Sequence, residues 1–363
     1  MLWMQVCFIF PNRLMTHRNR KLILLTLTLL ASTLACRAAT SLIFPATSTP
    51  IPSPTQTALP DTPTPTVPPS PTPTPIFESA CPNLLTEIMD ATFEQSFLFT
   101  EGTEEDYYVI YTIEDDKLAS REDIIATNRI DTKHDARATH EFIWNYFASL
   151  VPPENRKYLT EFAVVSDGKG EILGAVSPTF NDPLLWTLEV DVLDSDDDYS
   201  LTFTLMHEYG HLVTLNASQV PPNRRVFFSS GDTEIYDQAV AACPQYFPGE
   251  GCSDPESYIN EFYNRFWQDI YTEWQGIDAI EDEDEYYDRL DEFYQKYKDQ
   301  FLTDYSSASP AEDIAEAWSF FILSPKPEAD SIANEKVLFF YEYPELVQLR
   351  EKILTNLCEV FPE

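Results

Sequence analysis

The sequence predicts an α+β fold, with a small mixed β-sheet leading into a histidine-bearing helix and a mainly helical C-terminal lobe after it. Three observations predict this. Trp186, Leu188, Val190 and Val192 alternate with Thr187, Glu189 and Asp191, the period-2 pattern of a half-buried strand. Leu201, Leu205 and Leu212 then recur at helical spacing around His207-Glu208-Tyr209-Gly210-His211. Beyond residue 216 the apolar residues return every three or four positions, as Ile259, Phe262, Phe266 and Ile270 do, and then Leu290, Phe293, Tyr297 and Phe301.

From the N-terminus, Arg18, Arg20 and Lys21 precede an apolar run over 22–35 that has the length of a signal-peptide core and is short for a membrane-spanning helix. Residues 1–36 read as a signal peptide, with translation starting at Met1 or at Met15. Thr33-Leu34-Ala35-Cys36 resembles a bacterial lipoprotein box with its leucine one place late, which makes Cys36 the candidate lipidation site. Residues 37–77 form a disordered Pro/Thr-rich stalk. Between 38 and 76 lie 12 of the 28 prolines and a single charge, Asp61, so this segment tethers without burying a core and spans on the order of 100 Å. The folded domain is 78–363, with an N-terminal lobe over about 78–215 and a helical lobe over about 216–363.

Within the first lobe, Phe142, Ile143, Tyr146, Phe147 and Leu150 predict a helix. The runs 159–165 and 171–176 flank Asp167-Gly168-Lys169-Gly170 and read as a β-hairpin. The acidic stretch Asp194, Asp196, Asp197, Asp198 with Ser200 supplies an N-cap and N-terminal charge for a helix beginning near residue 200.

On that helix His207 and His211 share a face, so both rings can reach one tetrahedral ion. Glu208 stands beside it, where it can take a proton from a zinc-bound water whose pKa lies near 7. This is the H-E-x-x-H pattern of zinc hydrolases, made from two of only five histidines. His140-Glu141 is no such site, because Trp144 holds the second histidine's place.

A third ligand is required. Leu212-Val213-Thr214-Leu215-Asn216 lacks the glycine and third histidine of the metzincin extension, and no histidine follows, so a carboxylate must serve. Ser309-Pro310 announces a second helix with Glu312 and Glu316 on one face. Ser309-x-x-Glu312 is also a capping box, so Glu312 is either ligand or cap. Gly231-Asp232-Thr233-Glu234 is a rival ligand source whose residue order fits poorly.

Taken together, His207-Glu208-Tyr209-Gly210-His211, Tyr305 and Glu312-Asp313-Ile314-Ala315-Glu316-Ala317 resemble the catalytic domain of the anthrax lethal factor type within the gluzincin metallopeptidases, over about 185–363. The resemblance implies a zincin-like fold with His207, His211 and Glu312 as ligands of one zinc ion per chain. It also implies Glu208 as general base, Glu316 orienting a ligand histidine and Tyr305 as a transition-state donor. Tyr305 is also one of 19 tyrosines, at the end of an aromatic-rich stretch. The 100 residues between His211 and Glu312 are an insert about which the family pattern says little. By analogy with such folds, an edge strand beside the metal pairs with an extended substrate, favouring peptides.

Glu281-Asp282-Glu283-Asp284-Glu285 reads as a solvated helix start, and Leu349 with Ile353 marks a closing C-terminal helix. With Cys7 and Cys36 set aside, Cys243 pairs locally with Cys252 and Cys81 with Cys358, as expected of an exported domain. Residues 1–77 hold five of the 23 basic residues and one of the 60 acidic ones, which leaves 18 against 59 and a net charge of −41. Such a domain repels nucleic acid and anionic lipid. The expected function is a zinc metallopeptidase, extracytoplasmic and membrane-anchored through lipid or else secreted, acting on peptide or protein. The alternatives are a catalytically silent surface-binding lipoprotein and a zinc amidase acting on cell-wall crosslinks. The intact Glu208 weighs against the first, and a substrate screen separates the second.

Overall fold

The computed structural model describes residues 81–93, 106–124, 130, 132–167, 173–229 and 231–361. The signal segment, the stalk and Cys36 lie outside them. In chain order the elements are α1 (Pro82–Phe93), β1 (Asp106–Glu114), β2 (Lys117–Asp123), α2 (Arg137–Leu150), β3 (Leu159–Ser166), β4 (Gly174–Thr179), β5 (Asp182–Asp191) and α3 (Asp198–Leu215). There follow α4 (Arg224–Phe227), α5 (Thr233–Ala242), α6 (Tyr258–Phe266), α7 (Tyr271–Asp278), α8 (Glu283–Tyr297), α9 (Pro310–Leu323), α10 (Ile332–Phe339) and α11 (Pro344–Val360). This is the α+β class the sequence predicts, with all described strands before α3 and only helices after it.

The sheet runs β2-β1-β3-β5-β4. The hairpin expected across 167–170 is therefore corrected: β3 and β4 are not neighbours, and β5 lies between them, parallel to β3 (Phe162 beside Leu188) and antiparallel to β4 (Val176 beside Leu188). The tight hairpins are β4–β5 and β1–β2. The second turns through Asp115 and Asp116, both at positive φ (47° and 66°), as a right-twisted two-residue turn demands.

A second correction concerns β5, which is buried on both faces rather than half-buried. Its polar positions Glu189 and Asp191 are fully buried because they are satisfied internally. Tyr107 and Ser177 donate hydroxyl hydrogen bonds to Glu189. The backbone N–H groups of Leu193 and Asp167 donate to Asp191 at 2.7 and 3.0 Å. In α2, Ile143, Tyr146, Phe147 and Leu150 enter the core as expected, while Phe142 points outward and is 58% exposed.

One core joins the sheet residues Phe162, Val164, Val176, Leu188 and Val190 to the helices. Helix α3 runs through it, buried at every position from Ser200 to Leu215 except Val213, as a central helix must be. Asp197 caps it, accepting from the N–H groups of Tyr199 and Ser200. The stripe of α6, Leu290, Phe293 and Phe301 of the next stripe, and Leu349 with Ile353 of α11 are core, with Tyr297 half-buried against them, and Glu283–Glu285 form the exposed first turn of α8 with Asp282 as N-cap. Cys81–Cys358 and Cys243–Cys252 are both bonded, across 277 and 9 residues.

Candidate metal centre

Helices α3 and α9 pack directly on one another and bring the predicted site residues together across about 100 residues of chain. The three atoms His207 Nε2, His211 Nε2 and Glu312 Oε2 form a nearly equilateral triangle with edges of 3.1, 3.0 and 3.2 Å. Donor atoms about 2.0–2.1 Å from a tetrahedral ion stand about 3.3 Å apart, so this triangle fits one after a small expansion. All three side chains are buried.

Glu316, one turn beyond Glu312, accepts from His207 Nδ1 at 2.9 Å. In a neutral ring that leaves Nε2 as a lone pair pointing into the triangle. Two ring nitrogens and a carboxylate oxygen then face one point, an arrangement that a cation would turn from repulsion into bonding. Burial of His207 opposes its protonation, yet the hydrogen bonds to Glu312 and Glu316 and the charges of Glu208 and Glu316 prevail and lift its pKa well above 6.5. For Glu312, burial pushes the carboxyl up, but the His211 charge and the bonds from both histidines hold it well below the usual range.

The capping-box alternative for Glu312 is half realised. Ser309 Oγ accepts from the Glu312 N–H at 3.1 Å, while the Glu312 carboxylate turns to the two histidines. The rival segment stays away: Asp232 N-caps α5 and Glu234 accepts from Gln238. His140 is a core histidine between Tyr111 and the His134 carbonyl.

Glu208 is 6% exposed, and its Oε2 has no hydrogen-bond partner among the described residues. Burial raises its pKa, the charges of His207 and His211 oppose the rise, and those of Glu312 and Glu316 add to it. A carboxylate so placed is a stronger base than one in water. Gly174, at the start of edge strand β4, lies against it; a Cβ there would stand 3.5 Å from Glu208 Cγ and 3.1 Å from Thr204 Cγ2. Tyr305 belongs to the 3₁₀ turn Tyr305–Ser307, with its ring centroid 5.7 Å from that of His207. Its phenol pKa is raised well above 10 by burial, then by the charges of Glu312, Glu208 and Glu316 and a hydrogen bond to Glu312.

Two supports escaped sequence reasoning. Asp313, next to Glu312, turns away from the histidines and accepts from Trp267 Nε1 at 2.7 Å while pairing with Lys336 Nζ at 2.6 Å. Lys336 is fully buried over the Phe301 ring at 4.2 Å. This pair fixes the rotation of α9, and with it the direction of Glu312 and Glu316. The other is Thr303, which donates to Glu316 Oε2 at 2.7 Å. Neither lies in a spacing pattern.

Gly210 sets the distance between the helices. A Cβ there would meet Trp318 Cδ1 at 2.9 Å and Trp318 Cβ at 3.1 Å. In an open helix, Gly→Ala stabilises by about 1 kcal/mol. Gly210→Ala is expected to do the reverse, costing about 1–3 kcal/mol by overpacking and weakening metal binding as α9 is pushed away. Denaturant unfolding and metal titration of the variant check both signs.

Comparison of the chain with models of known protein families, with curated proteins and with solved structures finds no match.

Proposed function

We propose that the chain is a zinc metallopeptidase of gluzincin type. The observation that carries the reading is the convergence of His207 Nε2, His211 Nε2 and Glu312 Oε2 to 3.0–3.2 Å beside the buried Glu208 carboxylate, whose Oε2 has no hydrogen-bond partner among the described residues. Zinc, when bound, supplies Lewis acidity, lowering the pKa of water to about 7 and polarising a carbonyl.

The chain's own residues do the rest. Glu208 accepts the proton of the attacking water and returns it to the leaving amine, a task for which its raised pKa suits it. Glu316 holds the His207 ring with Nε2 toward the ion. The Tyr305 phenol keeps its proton over the working pH range and can donate it to a developing oxyanion. Strand β4 is an edge of the sheet among the described strands, and an extended peptide can add to it alongside Glu208. Pro178 in β4, which has no N–H to offer, is tolerated there because the strand is an edge. The two disulfides favour an oxidising, extracytoplasmic setting.

The test is zinc content by elemental analysis of the purified protein, followed by a peptide-library cleavage assay with and without chelator. About one zinc per chain is expected, with binding weakened at least about 100-fold in Glu312→Ala, and cleavage lost on chelation. A protein that takes up no zinc after reconstitution rules the reading out and favours a non-catalytic binding protein.

A further inference from the structure

The short segment between α8 and α9 meets the metal centre at two points. Tyr305 lies beside the His207 ring and hydrogen-bonds Glu312. Two residues earlier, Thr303 Oγ1 lies 2.7 Å from Glu316 Oε2. Proton accounting fixes the direction of that bond. The Ser306 N–H can only donate, and it does so to Thr303 Oγ1 at 3.1 Å. Ser306 Oγ, 3.1 Å from the same oxygen and accepting from the Thr303 N–H at 3.4 Å, is free to donate as well. Both lone pairs of Thr303 Oγ1 are then used, and its one proton goes to the carboxylate, which only accepts.

Glu316 is thus pinned at both oxygens, Oε1 by His207 Nδ1–H and Oε2 by Thr303. With one oxygen released, its carboxylate can turn about its last torsion, and the acceptor that fixes the His207 tautomer turns with it. The segment is itself anchored from the insert: Phe301 is buried against Trp267 and Phe293 and beneath Lys336.

We propose that Thr303 is a positioning residue of the metal centre, the outer end of a hydrogen-bonded chain Thr303–Glu316–His207 that couples the turn carrying Tyr305 to the orientation of a metal ligand. The proposal rests on the metal reading above. It makes the end of the insert an adjuster of metal affinity, since one displacement of this turn shifts the Tyr305 phenol and the His207 ring together.

The test measures zinc affinity by chelator competition, with the visible spectrum of the cobalt-substituted protein, for wild type, Thr303→Val, Thr303→Ser, Glu316→Gln and the Thr303→Val/Glu316→Gln double variant. Thr303→Val should weaken zinc about 10-fold and alter the cobalt spectrum, and Thr303→Ser should stay within about twofold of wild type. In the Glu316→Gln background, Thr303→Val should add less than twofold, because the path is already cut. Wild-type affinity and spectrum in Thr303→Val overturn the proposal, as does a 10-fold loss that persists without Glu316, which marks a general packing effect. Should Thr303→Val fail to fold, Ser306→Ala takes its place: a two- to fivefold loss supports the chain, and no change overturns it. A wild-type protein that binds neither metal defeats the metal reading itself, an outcome distinct from an unresponsive Thr303.

Discussion

Glu208→Gln is expected to lower peptide hydrolysis by at least about 10³-fold while leaving zinc bound. Glutamine is nearly isosteric and occupies the same pocket, where Glu208 is 6% exposed and touches the Gly174 end of β4. Its amide cannot take a proton, and general-base catalysis accounts for about 10²–10⁴-fold of rate. The proposed ligands His207, His211 and Glu312 are untouched, so metal content should stay near the wild-type value. Removing this charge relieves the cost of burying it, with the repulsion from Glu312 and Glu316 adding to that cost and the attraction of His207 and His211 opposing it, and thermal stability should hold or rise. The wild-type pH profile carries a linked expectation. In the proposed mechanism Glu208 acts deprotonated, and its pKa is raised, so kcat/KM should fall as pH drops through a value above 4.5. Retained hydrolysis in Glu208→Gln would falsify the assignment of the base and the reaction class with it.

The second large effect is on stability. Cys81–Cys358 closes a loop of 277 residues that holds nearly every described element. The chain-entropy account gives about 5.6 kcal/mol for a loop of this length, and native disulfides removed from other domains cost about 2–5. Cys81→Ser/Cys358→Ser is therefore expected to lose about 3–5 kcal/mol in denaturant unfolding, a large share of the 5–15 kcal/mol of a typical domain. Cys243→Ser/Cys252→Ser, which opens a 9-residue loop, should lose less. Equal losses from the two pairs would show that local packing, not loop length, sets the effect.

Much of this was legible because the chemistry is local in sequence. His207, Glu208 and His211 lie in one turn of helix, and Ser309-Pro310 announces the start of α9 so clearly that Glu312 and Glu316 could be assigned to one face. The stripes of α6 and α8 were readable for the same reason. The sheet was not. The β1–β2 turn uses Asp115 and Asp116 where glycine or asparagine would have signalled it, and the edge strand Lys117–Asp123 is mostly polar. The pairing of β3 with β5 is a tertiary choice, so the loop glycines at 168 and 170 suggested a hairpin that the parallel partner displaces. The burial of Glu189 and Asp191 depends on hydroxyl and N–H donors from other strands and loops. Thr303 and Lys336 escaped notice because a buried hydrogen bond or ion pair between distant segments has no period.

The placing of the two disulfides also bears on how the chain is made. Synthesis runs from the N-terminus, so Cys81 emerges 277 residues ahead of its partner and waits that long for it. Cys243 and Cys252 arrive in the meantime, both capable of trapping it in a wrong pair. Their 9-residue separation defends against this, since closing a 9-residue rather than a 277-residue loop is favoured by about 3 kcal/mol, on the order of 10²-fold. By consuming each other first, they leave Cys81 only Cys358 to find among the described cysteines. A chain that lacks the small disulfide should therefore reach the correct Cys81–Cys358 bond more slowly and with less fidelity.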